Sequence, residues 1–164
     1  MYDTILLPVS PGSTANAAIP HAKSLAERYD ATVYVVSAID TVAQTLRGPQ
    51  AGSFAKRVED AAEERVETVT AELEAAGIDV VGSVLRGEPL EVITNAIDDV
   101  GADIVVMPSH TRRGLQRVLL GSVTEKVVRV SPVPVVTVPI RESDDGDAAG
   151  DSDGDAAERP GGEE

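Results

Sequence analysis

Short apolar runs alternate along this chain with longer stretches whose apolar residues return every three or four positions, the signatures of buried strands and amphipathic helices. Residues 4–7 (TILL) read as a first strand stopped by Pro8. Ser13 can cap a helix whose face is Ala18, Ala22, Leu25, Ala26 and Tyr29, running to Asp30. Residues 31–39 (ATVYVVSAI) form a second strand. Residues 40–53 have no clear period and contain Gly48, Pro49 and Gly52, so they read as a loop. Phe54, Val58, Ala62, Val66, Val69, Leu73 and Ala76 mark a long helix ended by Gly77.

The pattern then repeats. Residues 78–85 are a third strand, and Pro89 opens a helix with the face Leu90, Ile93, Ile97 and Val100, ended by Gly101. Residues 104–107 (IVVM) are a fourth strand ending at Pro108, followed by a polar loop and a helix over residues 123–130. Residues 133–140 make a fifth strand. Pro132, Pro134 and Pro139 flank or interrupt it, and because proline cannot donate into a ladder the strand belongs at a sheet edge.

Strands alternating with helices predict a doubly wound α/β fold, a five-stranded parallel sheet with helices on both faces. Right-handed crossovers favour the strand order 3-2-1-4-5. Ligands of such sheets sit beyond the carboxyl ends of the strands where the winding reverses, here between strands 1 and 4. The loops over residues 8–12 and 108–121 should therefore face each other. The second holds Arg112, Arg113 and Arg117 and leads into a helix N-terminus at Gly121-Ser122, where unpaired N–H groups suit an anion.

Composition narrows the partners. The formal charge of −14 is uneven: residues 142–164 hold ten acidic residues and one arginine, leaving −5 on residues 1–141. That balance argues against nucleic acid. The last 23 residues have no large apolar side chain and read as a disordered acidic tail behind a single domain over 1–141. There are no cysteines, which excludes disulfides and thiolate chemistry. The chain runs almost directly into a strand, and no apolar run approaches the roughly 20 residues that span a bilayer, so a soluble, cytoplasmic protein with no membrane partner is expected.

In its pieces YDTILLPV, LAERYDA, RGEP, ADIVVMPSH and LLGSVTEKVVRVSPVPVVTV the chain resembles the universal stress protein family, over residues 1–141. Many members bind ATP and others do not. The resemblance implies a site built from Pro8, Val9, Ser10, Ala38, Met107, Pro108, Thr111, Arg112, Arg113, Gly121, Ser122 and Val123, with adenine against backbone near Val9 and Ala38. Phosphates would lie at Gly121, Ser122 and the Arg112–Arg113 pair, with any magnesium carried by the nucleotide. It also implies a homodimer through the fifth strand, residues 133–140.

The motif of ATP-binding members, Gly-x2-Gly-x9-Gly-Ser/Thr, is only partly kept. Gly121-Ser122 supplies its end, but its two earlier glycines fall on Pro108 and Thr111, and the family's aspartate after strand 1 falls on Ser10. Thr111 is β-branched, and Pro108 has no N–H and a fixed φ, so donors near a phosphate are crowded or lost. Gly114 restores some freedom, and the arginines can supply charge.

Plainer roles compete for the same residues. Ser122 and Glu125 fit a capping box. Arg112, Arg113 and Arg117 fit a solvated loop face, Ser10 fits a turn, His110 is a lone loop histidine, and His21 belongs at the margin of the core. No Walker loop, dinucleotide fingerprint or metal-ligand set occurs. The functional expectation is a stress-response or ligand-sensing module that binds ATP or a related nucleotide weakly. The alternative is a dimeric scaffold without nucleotide; a hydrolase or phosphotransferase ranks last, and an enzyme is the weaker reading.

Overall fold

The computed structural model describes residues 1–11, 17–40, 51–109 and 121–140. In chain order the elements are β1 (Thr4–Val9), α1 (Ile19–Tyr29), β2 (Thr32–Ile39), α2 (Ala51–Ala75), β3 (Val80–Arg86), α3 (Pro89–Val100), β4 (Ile104–Ser109), α4 (Ser122–Val130) and β5 (Val135–Pro139). All strand pairs are parallel, in the order β3-β2-β1-β4-β5. This is the α/β architecture and winding that the pattern predicts, with β5 at an edge.

Alternation splits the core in two. Ile5, Leu7, Val33, Val35, Ile104 and Val106 pack under α1 and α2, while Leu6, Val36, Val105 and Met107 pack under α3 and α4. α2 lies close over β3 at Gly82. A Cβ there would stand 2.7 Å from Val66 Cγ1 and 2.9 Å from Thr70 Oγ1, so only glycine lets the helix sit at this height. Gly77 and Gly101 follow α2 and α3 at φ of 79° and 63°.

Several local expectations need correction. α2 begins at Ala51, inside the stretch read as loop, because the alanine, glycine and serine that open it carry no apolar period. α1 begins at Ile19 with Ala18 at its N-cap, no side-chain cap and Pro20 in its first turn, so Ser13 does not cap it. Ser13 itself lies outside the described residues. His21 is exposed on α1, not at the core margin. β5 is shorter than 133–140.

The most consequential corrections concern Pro8 and Pro108. Neither ends its strand: β1 runs on to Val9 and β4 to Ser109. Backbone polar groups alternate sides along a strand. The Asp3 carbonyl accepts Thr32 N–H on the β2 side, whereas the Thr4 carbonyl accepts Asp103 N–H at the start of β4. In β4, Val105 N–H reaches Pro134 and the Ser109 carbonyl takes Ile140 N–H, so the intervening even positions face β1. Pro8 and Pro108 both turn their nitrogens into the space between β1 and β4. β1–β4 pairing stops at Leu6↔Val105, while β1–β2 pairing continues to Val9↔Ser37. The next two N–H groups due to cross between β1 and β4 belong to the two prolines, which have none. The sheet parts where its donors run out.

Candidate functional site

The gap between β1 and β4 opens into a cleft of about 320 Å³ at the carboxyl ends of the strands. Its floor is Pro8, Val36, Ala38, Met107 and Pro108, and Val9, Ser10 and Pro11 continue it from β1. One wall is the start of α3 (Pro89, Ile93), the other the start of α4 (Gly121 through Thr124). The volume is at the lower end of the range for small-molecule sites, roughly 300–1,000 Å³.

Nine of the twelve residues singled out from sequence line this one cleft: Pro8, Val9, Ser10, Ala38, Met107, Pro108, Gly121, Ser122 and Val123. Thr111, Arg112 and Arg113 lie outside the described residues, as do His110, Gly114 and Arg117. Sequence reasoning passed over Pro11, Val36, Pro89, Ile93 and Thr124, which also line it. Val36 and Ile93 share the periodicity of the core and carry no signal that separates a cleft wall from an interior. Thr124 had a weak one, its place in the first turn of a helix that follows Gly-Ser.

Donors are concentrated at α4. Gly121 is its N-cap, and no side chain caps the helix. The first intrahelical bond is Glu125 N–H to the Gly121 carbonyl, 2.8 Å, so the N–H groups of the preceding turn have no partner from within the helix. The capping box does not form. Ser122 is the first helical residue instead of the cap and is exposed, and the Glu125 carboxylate accepts from Arg129 at 2.7 Å. The positive end of the helix dipole thus opens onto the cleft with no side-chain cap among the described residues.

α3 differs. Its N-terminus carries Glu88 at the cap and Pro89 in the first turn. Lys126 of α4 reaches the Glu88 carboxylate at 3.8 Å, tying the two walls together.

Thr124 fixes the other end of the α4 turn. It is 4% exposed, and its hydroxyl donates to the Pro108 carbonyl at 3.0 Å. That carbonyl faces β1, where no ladder partner meets it, so the helix supplies the hydrogen bond the sheet no longer provides.

The chemistry of the cleft follows from this inventory. Its floor is apolar and the two prolines offer no N–H, so among the described residues the backbone donors available to an anion are concentrated at the α4 end. The side-chain heteroatoms of the lining residues are the hydroxyls of Ser10, Ser122 and Thr124 and the Met107 sulfur. Among the described residues no titratable side chain lines it. Among the described residues no cluster of three His, Cys, Asp or Glu could hold a metal ion. The arrangement is equipped to hold a molecule with an apolar, flat part and one anionic end.

The profile of the Universal stress protein family matches residues 1–139. The chain belongs to the universal stress protein family. Universal stress protein MJ0577 of Methanocaldococcus jannaschii is 30% identical over 159 residues, covering 87% of this chain and 98% of its own. A solved structure of a protein of that designation superposes with a TM-score of 0.72, covering 87% and 99% of the two chains. A universal stress protein of Archaeoglobus fulgidus in complex with dAMP gives 0.63 at 22% identity, over 84% and 98%. A universal stress protein in complex with cAMP gives 0.62 at 23% identity, over 84% and 97%. At those identities the last two establish the shared fold. No helix among the described residues is long and apolar enough to cross a membrane.

Proposed function

We propose that this universal stress protein is a cytoplasmic ligand-sensing module whose cleft takes an adenine nucleotide, ATP or a relative with fewer phosphates. The observation that carries the reading is the uncapped N-terminus of α4 opening onto an apolar cleft at the winding reversal. The base lies on the floor near Val9 and Ala38, and the nearest phosphate meets the N–H groups at Gly121, Ser122 and Val123. Complexes of two fold relatives with cAMP and dAMP support a nucleotide of this class. Arg112 and Arg113 enter the chain between Ser109 and Gly121 and supply positive charge to further phosphates; magnesium arrives with the nucleotide. Binding, not cleavage, is the role we propose for the cleft.

Binding is weaker than in members that keep all three motif glycines, because Pro108 offers no N–H where glycine would. The test is thermal unfolding with and without adenosine nucleotides and magnesium. A ligand at about 100 times its Kd adds roughly 2.7 kcal/mol, a clear rise in Tm. No rise at millimolar nucleotide overturns the nucleotide reading.

A second reading, a nucleotide-free interaction scaffold, draws on β5. This apolar strand is an edge with one side unpaired, and a two-fold partner strand would cover it. Homodimerisation through β5 is compatible with either reading. Residues 142–164 lie outside the described residues, and an acidic, solubilising role is proposed for them beside the domain of residues 1–141.

A further inference from the structure

Threonines in helices usually return their hydroxyls to their own backbone. Two do so here: Thr68 donates to the Glu64 carbonyl at 2.8 Å and Thr94 to the Leu90 carbonyl at 2.9 Å. Thr124 instead reaches sixteen residues back to the Pro108 carbonyl in β4. Its acceptor is in place because the two prolines end the β1–β4 ladder, and proline's fixed φ holds the strand end that presents it. Among the described residues this bond joins α4 to the parted strand β4, and it lies in the turn whose N–H groups face the cleft.

We infer that Thr124 is a positioning residue for the anionic end of the ligand: its bond to Pro108 holds the N–H groups of Ser122 and Val123 at the height of the cleft. The inference rests on the nucleotide reading above. It assigns the effect to position and not to contact. The Thr124 proton is committed to Pro108, so toward the cleft the hydroxyl presents lone pairs, which repel a phosphate oxygen. What Thr124 gives an anion passes through the backbone it fixes. Affinity for the phosphate-bearing ligand therefore depends on this hydroxyl, whereas affinity for the same ligand without phosphate does not.

Two probes separate these effects, adenosine monophosphate and adenosine, titrated calorimetrically into the full chain below its unfolding temperature. In Thr124→Val, which keeps the shape and deletes the hydroxyl, the monophosphate is expected to bind at least tenfold more weakly and adenosine within threefold of the original. Thr124→Ser restores the donor and should bind both as the parent does. Val69→Ala, on the buried side of α2 against the opposite face of the sheet, loses stability while keeping Thr124 and should bind both normally. Equal losses for both probes in Thr124→Val, or no loss for either, overturn the inference while leaving the nucleotide reading standing. If the parent chain binds neither probe, the nucleotide reading falls and this inference falls with it. Should Thr124→Val not fold, Thr124→Ser decides: selective loss of the monophosphate in a variant that keeps the hydroxyl overturns the inference, and unchanged binding of both supports it.

Discussion

Asp103 Oδ2 accepts the backbone N–H of Asp3 at 2.7 Å and of Thr4 at 3.0 Å. One carboxylate thereby fastens the entry of β4 to the entry of β1, at the end of the sheet opposite the cleft. These two N–H groups hold the Asp103 carboxyl below its ordinary range. A depressed carboxyl stabilises the folded chain above its unfolded value, about 3.9, and that stabilisation disappears as pH falls through the lower folded value. Asp103→Ala is expected to unfold earlier in urea than the parent at pH 7, with the difference shrinking below about pH 4. Urea midpoints of both chains across the acid range check this; a difference that does not shrink as pH falls would contradict it.

Gly82 sits under α2 with no room for a methyl group. Gly82→Ala should cost about 1–3 kcal/mol as α2 is pushed off β3. The strand lies at the edge of the sheet, away from the cleft, so nucleotide affinity should not change. Chemical unfolding and a nucleotide titration on the same variant read both halves of the statement.

The altered phosphate loop predicts its own repair. Thr111→Gly combined with Ser10→Asp returns one backbone freedom and one carboxylate to the places where the family motif has them. ATP with magnesium should then bind at least tenfold more tightly, about 1.4 kcal/mol. Unchanged affinity would mean that these positions do not limit nucleotide binding.

The free side of β5 can be read from its hydrogen bonds. Ile140 N–H and the Pro134 carbonyl face β4, so odd positions face outward, and Pro139 turns its missing N–H to that open side. Val135 and Thr137 hold the outward donors of the strand. Light scattering at micromolar concentration should show a dimer, and Thr137→Pro should shift it toward monomer while the fold survives. A monomeric parent chain would refute pairing through this edge.

The architecture was legible because burial imposes period two on strands and 3.6 on helices, and strand order follows from handedness once the elements alternate. The place of the cleft was legible for the same reason. Pro8 and Pro108 were misread as strand stops because proline's cost depends on whether a neighbour is there to receive the donor, and one strand's sequence does not contain its neighbour. The box Ser122-x-x-Glu125 has the right letters one position too deep: Gly121 takes the cap, and Glu125 pairs with Arg129. Thr124 went unnoticed because a helical threonine looks the same whether its hydroxyl turns inward to its own helix or outward to a strand.

The ladder between β1 and β4 ends where two backbone donors are missing, those of Pro8 and Pro108. Lining residues such as Val36, Ile93 or Val123 can change without restoring either donor. Descendants of this chain can vary what fits between the strands while inheriting the opening intact. The aperture and its selectivity are separately heritable.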